Sequence, residues 1–268
     1  MRANPIKLRE EFKKHLTDNE QADLGVNLGA GSDHYRAFVG PPFNYDITGG
    51  LQFQFMLDLG LREYHRFLEI GCGSLRLGRL IMMYLLPNRY YGVEPNEKIL
   101  KEGIIHNLGS DNPDNPFLKL KNPKFSNNAD FDFGFTGKKV DYIIAQSIAS
   151  HTGISETEKL IGGISKVVSD NGIAMVTYIR CADPEKSNKK DGWFYPECIT
   201  YTDKHMAEVA HKFGLNAYKT SWPLLNRRAD GLVSTQTPLI LTKKPWEPTL
   251  AQRFAGLSIE NIPNITKL

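Results

Sequence analysis

The sequence has little that would staple or anchor it. Three cysteines occur in 268 residues, Cys72, Cys181 and Cys198, and no two stand at CxxC spacing. That excludes a disulfide scaffold and gives a structural zinc site no ligand pair. Long apolar runs are missing. The strongest, Ile81 to Leu86, is far short of the ~20 residues that a membrane-crossing helix needs. Charge of one sign is missing too. Lys plus Arg number 33 against 30 Asp plus Glu, a net of +3, too even to argue for a nucleic-acid partner. Met1-Arg2-Ala3-Asn4-Pro5 leads into charged residues without an apolar stretch, so no signal peptide is expected and cytoplasm is the default. No His, Asp and Glu cluster has metal-ligand spacing, so metal-independent chemistry is expected.

What is present is an ordinary globular composition, 41% hydrophobic and 24% charged. A chain of this length buries roughly three quarters of its surface on folding. Ile6 to Leu16 reads as a charged surface helix or lid, Asp18 to Gly31 as a polar connection, and Gly40-Pro41-Pro42 as a break. Leu51, Phe55 and Leu59 predict a helix over Gly50 to Leu59. From Arg66 the pattern changes. Strands are predicted at Phe67–Ile70, Tyr90–Val93, somewhere in Leu118 to Phe125, Val140–Ala145 and Gly172–Ile179. Helices fall between them: one stopped by Pro87, one capped by Asn96 and running to Leu108, and one over Glu156 to Val168. Continuous apolar strands alternating with helices imply a mostly parallel sheet covered on both faces. A polar insertion follows over 181–202, then a helix from Asp203 to Phe213. Strands near Leu215–Lys219 and Pro238–Thr242 close the pattern as an antiparallel edge hairpin. The expectation is a doubly wound, Rossmann-like α/β fold with a seven-stranded sheet. Residues 1–60 would form an N-terminal helical cap, 61–244 the catalytic domain, and 245–268 a tail.

The strongest motif is Glu69-Ile70-Gly71-Cys72-Gly73-Ser74, at a strand-to-helix turn. Glycines there let the backbone bend tightly and approach a ligand. Glu94 ends the next strand, where a carboxylate takes hydrogen bonds from a ribose diol. Together they describe an adenosine site. A nicotinamide fingerprint wants glycine where Arg76 stands, and no Gly-Lys-Ser/Thr follows to make a phosphate loop. A turn that merely joins strand to helix is the plain alternative.

Phe67 to Gly78, Tyr91 to Asn96 and Asp141 to Gln146 resemble the class I S-adenosylmethionine-dependent methyltransferases. Tyr35 to Gly40, Tyr45 to Gly50, Gln146 to His151 and Gly192 to Pro196 look like a bacterial subgroup of these enzymes, one associated with surface-polysaccharide and sugar modification. The resemblance implies S-adenosylmethionine as cofactor and S-adenosylhomocysteine as product. It also implies a cofactor set of Glu69, Gly71, Cys72, Gly73, Ser74, Glu94, Pro95, Asn96, Gln146 and Ser147. Asp130 would receive the adenine amino group, or is a plain loop aspartate.

The fourth strand ends Ala145-Gln146-Ser147-Ile148, not in the Asn/Asp-Pro-Pro-Tyr of many nucleic-acid amine methylases. His151 follows in the loop above the sheet. A hydroxyl nucleophile must lose its proton, and histidine is the natural base near neutral pH; the position equally suits a loop or cap histidine. Asp33, His34, Tyr35, Tyr45, Arg180, Trp193 and Tyr195 are the candidate acceptor contacts. Each also has a structural reading, as a turn, a packed aromatic or an ion-pair partner. The expected function is O-methylation of a sugar hydroxyl, on a nucleotide-linked sugar or a capsule glycan, with His151 as base. The alternatives are N-methylation of a small molecule or protein, or a non-catalytic cofactor-binding partner subunit. The expected partners are a small-molecule or sugar substrate, no nucleic acid, no membrane span, and a monomer or homodimer.

Overall fold

A computed structural model describes residues 10–221, 236–254 and 258–261. Its sheet has nine strands: β1 (Phe67–Ile70), β2 (Tyr90–Val93), β3 (Lys124–Ser126), β4 (Val140–Ala145), β5 (Val168–Arg180), β6 (Thr200–Tyr201), β7 (Asn216–Ser221), β8 (Gln236–Thr242) and β9 (Ser258–Asn261). The order is β3-β2-β1-β4-β5-β8-β7-β9, with β6 pairing parallel to β5. β3 to β5 run parallel, and β8, β7 and β9 join antiparallel. All seven expected strands are present, and β6 and β9 extend the sheet. β8 inserts between β5 and β7, and β9 forms the outer edge.

Alternate strand residues serve opposite faces. Leu68, Ile70, Tyr91, Val93 and Ile143 pack with helices Ile154–Val167 and Asp203–Lys212. Phe67, Tyr90, Tyr142 and Ile144 pack with helices Tyr45–Asp58, Gly78–Tyr84 and Glu97–Leu108. Both faces are therefore covered, as the apolar runs of β1, β2 and β4 require. Helix Tyr45–Asp58 starts earlier than its apolar spacing indicates. It buries Phe55 and Met56 in this core, so the 1–60 segment is part core and part cap.

The third strand was expected somewhere in Leu118 to Phe125; residues 116–121 are helical, and the strand lies at the end of that interval. Asn115 accepts from the backbone N–H groups of Phe117 and Leu118, and Pro116 takes the first helical position. β3 is left with three residues at a half-exposed position. The expected helix over Ile6 to Leu16 is described only from residue 10, where 10–13 are helical.

After β1 the chain crosses to β2 on one side, and β4 leaves on the other. Such a switch point opens a crevice at the carboxyl ends of the strands. Among the described residues no helix is long and apolar enough to cross a membrane.

Candidate active site

A cavity of about 670 Å³ occupies that crevice, within the roughly 300–1,000 Å³ typical of small-molecule sites. Its floor is the turn after β1. Gly71 and Gly73 have φ of +69° and +53°, a region that disfavours a side chain. A Cβ on Gly71 would strike Ile148, and one on Gly73 would strike Val39.

The Glu94 carboxylate spans this turn. It accepts from the Gly73 N–H and the Asn96 N–H, each at 2.9 Å. Burial raises its pKa and these two donors oppose the rise. Each oxygen keeps a lone pair for a ligand hydroxyl. Asn96 also caps helix Glu97–Leu108 by accepting from the Ile99 N–H.

Glu69 lies behind the turn rather than on the cavity. It is buried and accepts from the Tyr90 hydroxyl at 2.6 Å; burial raises its pKa to about 8. Cys72 and Ser74 are likewise buried off the cavity, and the Ser74 carbonyl accepts from the Tyr45 hydroxyl and Asn107. Arg76 does line the cavity. It donates to the Val39 carbonyl at 2.6 Å, while its Nε–H has no partner.

Beyond β3 the cavity is met by Asn128, Ala129 and Phe131 but not by Asp130. Asp130 is exposed and accepts from the Asp132 N–H. Asn128 donates to the Asp132 carbonyl and the Ser126 hydroxyl, leaving its buried Oδ1 without a partner.

Beyond β4 stand Gln146, whose Oε1 is also unpartnered, and Ser147, at φ +61°. The Ser147 N–H donates to Thr177 Oγ1 on β5 at 2.7 Å, and Gln236 on β8 donates to the Ser147 and Ser150 hydroxyls. These bonds hold a strained turn that aims the following loop.

His151 lies in that loop and lines the cavity. Its Nδ1 is 2.6 Å from the Glu197 carbonyl. A carbonyl only accepts, so Nδ1 carries the hydrogen and the neutral ring keeps its lone pair on Nε2. Burial lowers the His151 pKa, partly offset by that carbonyl. The insertion is laced to this loop by Phe194 N–H to the His151 carbonyl and Ile199 N–H to the Ser150 carbonyl.

Trp193 and Tyr195 stand on the cavity's rim with roughly half their surface exposed, 51% and 43%. The roof comes from 30–41, with Phe38 and Val39 over the glycine turn. Five of the seven candidate acceptor contacts do not reach the cavity either. Asp33 pairs with Lys98. His34 caps helix Tyr35–Phe38 and contacts the Asp23 carbonyl. Tyr35 stacks on His106. Tyr45 is buried against Ser74. Arg180 pairs with Asp203, which also receives the Tyr178 hydroxyl. Among the described residues no group of three His, Cys, Asp or Glu side chains is placed to hold a metal ion.

The sequence reading missed Asn128, Phe38, Val39 and Gln236. A third strand placed at 124–126 would have flagged Asn128; the other three reach the cavity only through contacts distant in sequence.

No protein-family model and no curated protein matches the chain in sequence. Solved structures do match in fold. The magnesium protoporphyrin IX methyltransferase ChlM of Synechocystis, with bound S-adenosylmethionine, superposes with a TM-score of 0.55 at 10% identity, covering 88% of this chain and 97% of its own. The CcbJ methyltransferase of Streptomyces caelestis gives 0.52 at 17% identity, covering 76% and 96%. An S-adenosylmethionine-dependent methyltransferase of Clostridium acetobutylicum gives 0.52 at 12%, covering 75% and 92%. The chain has the Rossmann-like fold of the S-adenosylmethionine-dependent methyltransferases.

Proposed function

We propose that the protein is an S-adenosylmethionine-dependent O-methyltransferase acting on a sugar hydroxyl. The observation that carries the cofactor assignment is the Glu94 carboxylate fastened across the Gly71–Gly73 turn. Its free lone pairs suit a ribose diol. The unpartnered Asn128 Oδ1 and Gln146 Oε1 add to it. An unpaired buried acceptor costs about 1–3 kcal/mol, and the cofactor's adenine amino and α-ammonium groups are the donors that would meet them. This reading gives Asn128 the adenine role expected of Asp130.

When bound, the cofactor supplies an electrophilic methyl on a positively charged sulfur. The chain's own work is to align the acceptor and take its proton. Alignment to roughly 3–3.5 Å between reacting atoms is worth several kcal/mol. His151, neutral with its lone pair on Nε2, is the proton acceptor, and a positioned base contributes about 10²–10⁴ in rate. Trp193, whose ring stacks on Phe131, and Tyr195 two residues on each keep exposed aromatic surface at the rim, on which the C–H face of a sugar ring packs. The resemblance of Gly192 to Pro196 to a sugar-modifying subgroup points the same way.

The test is titration calorimetry with S-adenosylmethionine, S-adenosylhomocysteine and NAD. A panel of nucleotide sugars and capsule glycans is then assayed with methyl-labelled cofactor. Saturable binding of the first two and label on a sugar oxygen are expected. Tighter binding of NAD would overturn the cofactor assignment, and label on nitrogen would replace the hydroxyl reading.

A further inference from the structure

The roof over the glycine turn is tied down at two consecutive carbonyls by side chains from opposite walls. Arg76, after β1, donates to the Val39 carbonyl at 2.6 Å. Tyr195, in the insertion, donates to the Phe38 carbonyl at 2.9 Å across 157 residues of sequence. The Tyr195 ring also lies against Phe38, with centroids 5.3 Å apart, and meets His151 edge-to-face at 5.2 Å. Tyr195 thus touches the roof with its hydroxyl and the candidate base with its ring.

The two ties differ in what surrounds them. Arg76 is half-buried, with its guanidinium beside Gly40 and facing into the cavity rather than out to its rim. Tyr195 is on the rim and 43% exposed, where a hydrogen bond exchanges readily with water. Local opening is drawn from such solvent-exposed bonds. The Gly31 and Gly40 N–H groups both donate to the Ala37 carbonyl, which closes 31–40 on itself; Asp33 on Lys98 and Tyr35 stacked on His106 hold its outer side, so the end over the cavity, 38–40, is the part that the latch controls.

We infer that Tyr195 is a positioning residue that latches the 31–40 roof over the cofactor cavity and braces the His151 ring, so that closing the roof and seating the base are one event. The inference rests on the reading of this cavity as the cofactor and acceptor site. The insertion carries Tyr195, the Glu197 carbonyl on His151 Nδ1 and the main-chain bonds to 150–153. With the latch open, the ring loses one face of its packing while Nδ1 stays bonded.

Tyr195→Phe and Tyr195→Ala separate the two contacts. Three quantities are read in each: hydrogen exchange at amides of 31–40, the His151 pKa from imidazole NMR, and the dissociation constant for S-adenosylhomocysteine. Tyr195→Phe loses only the hydroxyl. Faster exchange across 31–40 and an affinity weakened by roughly 2–10-fold are expected, with the His151 pKa unmoved. Tyr195→Ala should add a rise of the His151 pKa toward about 6.5, as the buried face opens to water. Unchanged exchange in Tyr195→Phe would overturn the latch, and an unmoved pKa in Tyr195→Ala would overturn the brace. Neither of those readings needs turnover. A protein that binds no S-adenosylhomocysteine would refute the cofactor reading while leaving the exchange and pKa results to decide the role of Tyr195.

Discussion

The Glu94 carboxylate accepts a hydrogen bond from the Gly73 N–H at 2.9 Å, joining the acid after β2 to the turn after β1. One side chain thereby shapes the turn and, in the proposed reading, presents the ribose contact. Glu94→Ala should weaken S-adenosylmethionine binding by roughly 10–100-fold, the scale of about 1.5–3 kcal/mol for hydrogen bonds to a charged group. Burial raises the Glu94 pKa. Affinity should therefore fall on acidification at a pH above that of an exposed glutamate. Calorimetry across pH checks both; an affinity unchanged in Glu94→Ala would remove the ribose assignment.

Two glycines give opposite expectations. At Gly73 an alanine would take φ +53° and push its Cβ into Val39. A left-handed φ alone costs about 1–2 kcal/mol, so Gly73→Ala should lower thermal stability and cut cofactor affinity at least about tenfold. Gly50, inside helix Tyr45–Asp58, has nothing within 4 Å of an added Cβ. Gly50→Ala should raise stability by about 0.5–1 kcal/mol and leave affinity alone. Thermal denaturation and calorimetry on the pair separate backbone strain from general sensitivity to alanine.

The parts of this architecture that were legible in the sequence are the ones decided locally. β1, β2 and β4 are buried on both faces and read as short apolar runs. Gly71, Gly73 and Glu94 announce themselves because a turn and a strand end need those residue types. β3 was blurred because it is short and partly exposed, and because Asn115-Pro116 starts a helix that runs into the interval where the strand was expected. A cap was expected from 1–60, but its contacts were not legible: Phe38 meets Tyr195, and Val39 meets Arg76, only after the sheet has assembled. Arg180 ends β5, where an acceptor contact was expected, yet β5 and the following helix deliver it to Asp203.

Glu69 sets a pH dependence of stability. Its pKa rises from 4.5 to about 8 on folding, chiefly through burial. Between those values the folded state holds a proton that the unfolded state has released. Stability must then fall as pH rises through that window, by up to about 1.4 kcal/mol per pH unit. Glu69→Gln mimics the protonated acid and still accepts from Tyr90. It should flatten the decline in melting temperature between about pH 5 and 8, and equal or exceed the parent at pH 8. An unchanged slope would show that Glu69 is ionised in the folded protein.

His151 gives the sharpest test of the chemistry. Its Nδ1–H is committed to the Glu197 carbonyl, and burial lowers its pKa. At neutral pH it is therefore a free base with a lone pair on Nε2. For turnover, kcat should rise with pH through a limb below the usual histidine value and level off by neutrality. For stability the sign is the same: the folded pKa lies below the unfolded one, so His151 costs the fold nothing at neutral pH. It destabilises as pH drops below about 6.5, where the unfolded chain takes up a proton first. His151→Ala should cut kcat by about 10²–10⁴ and remove the acidic limb, with cofactor affinity within a few-fold. His151→Asn can still donate to Glu197 from its carboxamide but has no titrating nitrogen. It should restore the stability lost in His151→Ala without restoring the rate. Rate recovered in His151→Asn would make His151 a structural tie between the loop and the insertion, and the proton would have to leave by another route.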